Sequence, residues 1–349
     1  MKIVKFTLLI TGISILLSSC CTFSGSEYEG PESGHFNGEE FVNYDDTKKH
    51  SLWDLMGWFI TRQRPQWHPW IESEPGPAPP ESVEDGSLRV THINHSTLLL
   101  QADGVNILTD PVYSDRVSPV FFAGPVRKRP PGIRLEDLPR IDLVVISHNH
   151  YDHMDISTLK KIDEKWQPVI VAGLGNKDYL IEQGMTNVLE LDWWQSHTVK
   201  GMDYSFVPAR HFSNRGICDR NKTLWGGFVF ETKGGPVYFA GDTGYGIHFR
   251  ELNERYGKFR FSMIPIGAYI PRWFMYPVHV SPVEAVMAHR DLQSVLSMGI
   301  HFGSFQQADD MRLQPVYDLR DELIKQGISL NEFIIPALGK GVMIEPLAN

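Results

Sequence analysis

Residues 142–153 read DLVVISHNHYDH. After one Asp the run is unbroken and apolar, the composition of a buried strand. It ends on three histidines and an aspartate within six positions: His148, His150, Asp152 and His153. A chain that stops a buried strand on so many imidazoles and a carboxylate must gather them at a site.

The same punctuation recurs. SFVPAR runs into His211, VYFAG into Asp242 and SMGI into His301. In α/β folds, ligands collect beyond the carboxyl ends of strands, where loops converge. Five imidazoles and two carboxylates so placed read as a metal cluster. His148 and His150 are two residues apart, so in an extended segment they face the same side and can share one ion. Asp152 and His153 lie past the strand and can swing to a second ion nearby, and Asp242 can bridge the two with its two oxygens. Imidazole and carboxylate ligands suit Zn²⁺, and also Fe, Mn or Co. No thiol belongs to the set, which argues against a closed structural zinc site. His35, His50, His68, His197, His248 and His289 stand outside it and read as ordinary core or surface histidines.

Around these residues the pattern alternates. Short strands are predicted at 88–93, 96–101, 105–110, 142–147, 168–173, 187–192, 204–209, 226–232, 236–241, 261–266 and 297–300, separated by turn residues. Helices are predicted near 155–166, 176–184, 247–256, 281–292 and 315–327. Strands come first in pairs and then alternate with helices, which implies sheets covered by helices in a layered α/β architecture.

The N-terminus is of another kind. MKIVK precedes FTLLITGISILL and then SSCC, the three-part layout of a secretory signal, and the apolar run is short for a membrane span. LSSC at 17–20 resembles a lipoprotein processing box. It implies a signal peptide over 1–19, Cys20 as the lipidated residue, and a bacterial cell-envelope protein anchored to a membrane surface. Residues 20–50, rich in Gly, Ser and acidic side chains, read as a loosely packed tether. Residues 51–86 hold a Trp-rich extension and a Pro/Gly linker, and the catalytic domain is expected over 87–349. Leu52, Leu55, Met56 and Phe59 have the spacing of one helical face, fit either for a lipid interface or for packing onto the domain.

The 349 residues carry 33 Lys and Arg against 42 Asp and Glu, a formal charge of −9, which excludes the basic face of a nucleic-acid binder. Three cysteines, Cys20, Cys21 and Cys218, build no disulfide framework, so Cys218 is expected as a buried or a reactive thiol.

HxHxDH with downstream His, Asp and His resembles the metal pattern of the metallo-β-lactamase fold hydrolases. SHNHYDHMD, LDWW (191–194), KTLWG (222–226), FAGDTGY (239–245), IPIGAYIPRWFM (264–275) and HVSPVEAV (279–286) resemble more closely the N-acylphosphatidylethanolamine-hydrolysing phospholipases D. The resemblance runs from about Leu88 to about Gln306. It implies an αββα sandwich, two sheets flanked by helices, with two Zn²⁺ as cofactors. His148, His150 and His211 would hold one ion, Asp152, His153 and His301 the other, and Asp242 would bridge them. Tyr151 and His279 would touch substrate. Asp152 and Asp242 are the candidate catalytic carboxylates, with Asp242 also orienting a dimetal-bridged hydroxide. The implied substrate is a phospholipid, cleaved to an N-acylethanolamine and phosphatidic acid. A lactone or other phosphodiester, or a non-catalytic envelope lipoprotein, are the alternatives. One departure is Asn94, where the family has Gly before the histidine of its first strand–turn motif; the turn there is expected to use Asn for a positive φ.

Overall fold

The computed structural model describes residues 23–45, 50–84 and 86–348. The lipoprotein-like box expected at 17–20, Cys20 included, lies outside them. Two seven-stranded sheets stack face to face with helices on both outer sides. The first sheet has the order β14-β1-β2-β3-β4-β5-β6, built from β1 (Leu88–Asn94), β2 (Thr97–Ala102), β3 (Val105–Thr109), β4 (Leu143–Val145), β5 (Val169–Gly173), β6 (Val188–Leu191) and β14 (Gly341–Ile344). The second runs β13-β12-β11-β10-β9-β8-β7, from β7 (Ser196–Val199), β8 (Met202–Val207), β9 (Gly227–Thr232), β10 (Gly235–Phe239), β11 (Phe261–Pro265), β12 (Leu296–Ile300) and β13 (Phe333–Ile334).

Each sheet repeats one plan. Antiparallel hairpin strands come first, and then parallel strands are joined through helices. Helices α2 (Ile156–Trp166) and α3 (Lys177–Glu182) cover the first sheet, while α4 (His248–Tyr256), α6 (Pro282–Asp291) and α7 (Gln314–Gln326) cover the second. Where a central strand such as β4 is buried on both faces, apolar residues follow one another without polar alternation. Leu143 and Val145 point between the sheets, whereas Val144 and Ile146 point under α2. Phe228 and Phe230 pack between the sheets, and Val229 packs beneath the second helical layer.

Two expectations, one for the N-terminal segment and one for Cys218, need correction. Residues 23–45 are not a loose tether. Phe36 and Phe41 are 3% and 0% exposed and belong to the inter-sheet core, and the segment is pinned by Gly25 N–H to Asp219 (2.7 Å) and by His35 Nε2 to Asp192 (2.6 Å). The sequence misleads because a segment without secondary structure is held here by two buried aromatics and side-chain hydrogen bonds. Cys218 is disulfide-bonded rather than a free thiol, and the chain's other two cysteines lie outside the described residues. No helix among the described residues is long and apolar enough to cross a membrane.

Helix α1 (Leu52–Thr61) starts on a Ser51–Asp54 capping box. It docks on a different face from the predicted one. Leu55 and Trp58 pack toward Phe274, Met275 and Ala308 beside the short α5 (Arg272–Met275); Trp58 stacks on Phe274 at 4.8 Å and donates to Asp309 at 2.7 Å. Met56 and Phe59 face solvent with Trp53 and Ile60.

Candidate metal centre

The strand ends that read as ligand-bearing meet in one pit of mostly buried side chains fed by both sheets. β4 delivers His148 to His153, β8 leads to His211, β10 to Asp242 and β12 to His301. After His153 the chain must leave the site at once. Asp155 does this by capping α2, accepting from the N–H groups of Ser157 and Thr158.

Two groups of side chains converge. In the first, His150 Nδ1 lies 2.8 Å from His148 Nε2 and 3.4 Å from His211 Nε2. In the second, His153 Nε2 lies 3.2 Å from Asp152 Oδ2 and 3.2 Å from Asp242 Oδ2; His301 Nε2 lies 3.4 Å from Asp152 Oδ2 and 3.1 Å from Asp242 Oδ1. Asp242 faces the first group too, with Oδ2 at 3.9 Å from His148 Nε2 and 3.8 Å from His211 Nε2. All seven predicted ligands are therefore together, and Asp242 sits between the groups.

These atoms fit cations. His153 Nε2, His301 Nε2 and Asp242 Oδ1 are buried yet make no hydrogen bond, which is costly unless something else satisfies them. Ligand–metal distances of about 2.0–2.1 Å in a tetrahedron put neighbouring donors about 3.3 Å apart, the spacing of the second group. Burial by itself would raise the Asp152 and Asp242 carboxyls, but the imidazoles around them, His153 foremost, hold both well below the usual carboxylate range. In return, His153 and His301 are drawn above their ordinary value against their own desolvation, with Asp242 the strongest partner, and His301 reaches about 9. The pit thus demands positive charge. His148, His150 and His211 go the other way, pushed down by burial, His150 to about 4. Neutral imidazole is the form a metal takes.

The far ring nitrogens of four of the five histidines are held as ligating histidines require, while His301 Nδ1 is buried without a partner among the described residues. His148 Nδ1 meets Ser147 Oγ (2.9 Å), His150 Nε2 meets Asn214 Oδ1 (3.0 Å) and His211 Nδ1 meets the Val278 carbonyl (2.9 Å). His153 Nδ1 meets Asp110 Oδ2 at 2.6 Å, and Asp110 also accepts from the Ser147 N–H (2.7 Å) and hydroxyl (2.6 Å). Asp110 had no role in the sequence reading. Its signal was the same as that of Asp242, an aspartate directly after an apolar strand.

The other sequence candidates divide. His279 joins the pit, its ring centroid 5.2 Å from that of His211 and 5.5 Å from that of His301, with Nδ1 buried and without a partner. Tyr151 packs instead beside Val112, Val117 and Phe305, and its ring lies 4.1 Å from the Arg215 guanidinium. Arg272 is engaged by Glu284 (2.7 Å) and by the His279 carbonyl (2.9 Å). The turn after β1 differs from expectation: the positive φ falls on His95 (+42°), while Asn94 instead donates its side-chain amide to the Val112 carbonyl.

With fold and site in hand, comparison places the chain. Residues 105–302 match the model of the beta-lactamase superfamily domain. The chain belongs to the beta-lactamase superfamily. Within it, this protein is a metal-dependent hydrolase. It is 37% identical over 261 residues to N-acyl-phosphatidylethanolamine-hydrolyzing phospholipase D 1 of Caenorhabditis elegans, covering 68% of this chain and 72% of that relative. It is 35% identical to the mitochondrial N-acyl-phosphatidylethanolamine-hydrolyzing phospholipase D of Saccharomyces cerevisiae, covering 68% of this chain and 52% of the relative. The crystal structure of isothiocyanate hydrolase from Delia radicum gut bacteria shares the fold, with a TM-score of 0.60 at 19% identity over 74% of this chain and 100% of that one.

Proposed function

We propose that this superfamily member is a two-metal phosphodiesterase that hydrolyses N-acylated phosphatidylethanolamine to an N-acylethanolamine and phosphatidic acid. The observation that carries the reading is the paired donor groups joined by Asp242, in a chain similar to two phospholipases D of that name over two thirds of its length. His148, His150 and His211 would hold one ion and Asp152, His153 and His301 the other, and Zn²⁺ suits both sets. When bound, the ions supply Lewis acidity at a phosphoryl oxygen and acidify water. Water oxygen joins phosphorus, the bond from phosphorus to the ethanolamine oxygen breaks, and a proton goes to that leaving oxygen.

The chain's own residues do the positioning. Asp242 orients the attacking water from between the two groups. His279, which burial keeps neutral with a value near 4, offers Nδ1 to a phosphoryl oxygen, and Arg272 holds its backbone in place. His50, just before α1, stacks on Phe274 at 4.5 Å and meets Trp273 at 6.0 Å, tying the start of α1 to α5. Trp53 (78% exposed), Ile60 (80%) and Trp273 (49%) are exposed apolar side chains on α1 and on α5 against which it packs, a composition suited to a lipid interface from which a phospholipid enters. An envelope location with Cys20 as a lipid anchor is part of the same proposal.

The test is release of N-acylethanolamine from mixed micelles by the zinc-loaded full-length protein, with and without chelator. Chelator-sensitive release is expected. Two bound metals with no release, and turnover of lactones instead, would overturn the substrate.

A further inference from the structure

We infer that His95, together with Gln307, is a positioning residue for the second metal group, holding Asp152 in its ligating orientation. The inference rests on the two-metal reading above.

His95 lies in the β1–β2 turn, far in sequence from every ligand. Its Nε2 reaches Asp152 Oδ2 at 2.9 Å, and Gln307 Nε2 reaches the same oxygen at 2.7 Å. That oxygen is also the one nearest to His153 and His301 (3.2 and 3.4 Å). A carboxylate can only accept, so His95 must carry its proton on Nε2 and donate. His95 belongs to the same donor group as Asp152, His153 and His301, but it alone of the three rings makes a hydrogen bond to that oxygen, and a protonated Nε2 is not a metal ligand; the geometry therefore makes it an orienting donor rather than an eighth ligand.

The fold takes a strained route to place this ring. His95 has φ +42°, sparsely populated for a residue with a Cβ, and His301 has φ +59°. The two turns fasten each other: His301 N–H donates to the His95 carbonyl at 2.9 Å, His95 N–H donates to Ser304 Oγ at 3.1 Å, and the imidazole centroids lie 4.0 Å apart. His92 Nε2 bonds the same carbonyl at 3.0 Å, and Phe305 meets the His95 ring edge-on at 5.4 Å. Backbone strain that surroundings over-determine in this way marks a functional constraint. Here it sets one N–H against one carboxylate oxygen.

Three variants of the full chain test this: His95→Ala, His95→Gln, whose amide also donates, and Gln307→Ala, on the loop after β12. Metals are counted per chain, release to a chromogenic chelator is timed, and the visible spectrum is recorded after cobalt substitution. Outer residues of this kind change metal affinity by about 10–100-fold. His95→Ala is therefore expected to release one of two ions about 10–100 times faster and to lose the cobalt bands of one site only. Gln307→Ala should move the same ion by less, and His95→Gln should restore much of it. If His95→Ala does not fold, Gln307→Ala carries the test alone. Equal release of both ions in the variants and the parent overturns the inference while leaving two metals intact; a parent chain that binds no metal overturns the two-metal reading instead.

Discussion

Asn43 grips the backbone of His211 from both sides: its amide donates to the His211 carbonyl at 2.9 Å, and its oxygen accepts the His211 N–H at 3.0 Å. The same oxygen accepts from Trp225 Nε1 at 3.1 Å. A side chain from the N-terminal segment thus sets a residue of the metal centre, and two strapped-down aromatics, Phe36 and Phe41, hold that segment to the core. Removing residues before 46 should lower the thermal midpoint and weaken metal binding together. Asn43→Ala alone is expected to cost about 1–3 kcal/mol, the penalty of leaving buried backbone groups unpaired. Chemical denaturation and metal titration check both; a truncated chain with parental stability would restore the picture of a mere tether.

Asp242→Asn removes the carboxylate shared by both groups and leaves His153 and His301 without their strongest partner. Metal content should fall at both positions, and turnover should drop by more than the roughly 10–100-fold of an outer residue. Elemental analysis beside the micelle assay reads this directly. Two tightly held ions in the variant would refute the bridging role.

Asp110→Asn leaves the ligand set complete but replaces the acceptor of His153 Nδ1. The expected loss is about 10–100-fold in affinity for the second ion, with the first unchanged. Competition with a chelator of known affinity separates the two.

Trp53→Ser with Ile60→Ser alters only exposed positions of α1, so stability should stay within about 0.5 kcal/mol. Binding to phosphatidylethanolamine vesicles by a chain lacking the N-terminal lipid should fall, and hydrolysis of a short soluble phosphodiester should not. Trp58→Ala is the contrasting case: it empties the contact with Phe274 and removes the indole donor from Asp309, which keeps Arg62, so proteolytic nicking around α1 should increase.

His92 and His248 lie outside the metal groups, and burial pushes their values down to about 4 and about 3 from 6.5. Both are therefore neutral in the fold at pH 7. Below pH 6.5 the unfolded chain takes up protons that the fold refuses, so their contribution to stability is whole above 6.5 and is lost as pH falls toward 4 and 3. Between pH 6 and 4, His248→Gln should lose about 1.4 kcal/mol less per pH unit than the parent. Urea midpoints across that range decide it; parallel slopes would show that His248 does not titrate this way.

Much of the architecture was legible because its signals are local. Strands buried on both faces leave continuous apolar runs, and helices leave caps such as Asp155 and the Ser281–Glu284 box. β7 and β13 escaped because SHTV is a largely exposed, polar edge strand and β13 spans two residues. The sheet edge formed by β14 was equally silent, since its pairing with β1 joins residues more than two hundred positions apart.

By itself, the sequence determined that this chain makes strands ending on imidazoles and carboxylates, and so which seven side chains meet. That followed from periodicity and spacing, properties of neighbours along the chain. The tertiary structure alone decided who supports them. Asp110 under His153, Asn43 on His211, and His95 with Gln307 on Asp152 are long-range hydrogen bonds between buried groups, and their partners are chosen by how two sheets and a wrapped N-terminal segment pack. Tyr151 shows the converse. It sits inside the ligand motif, yet its ring is set by packing on the Arg215 guanidinium, sixty-four residues away in the chain.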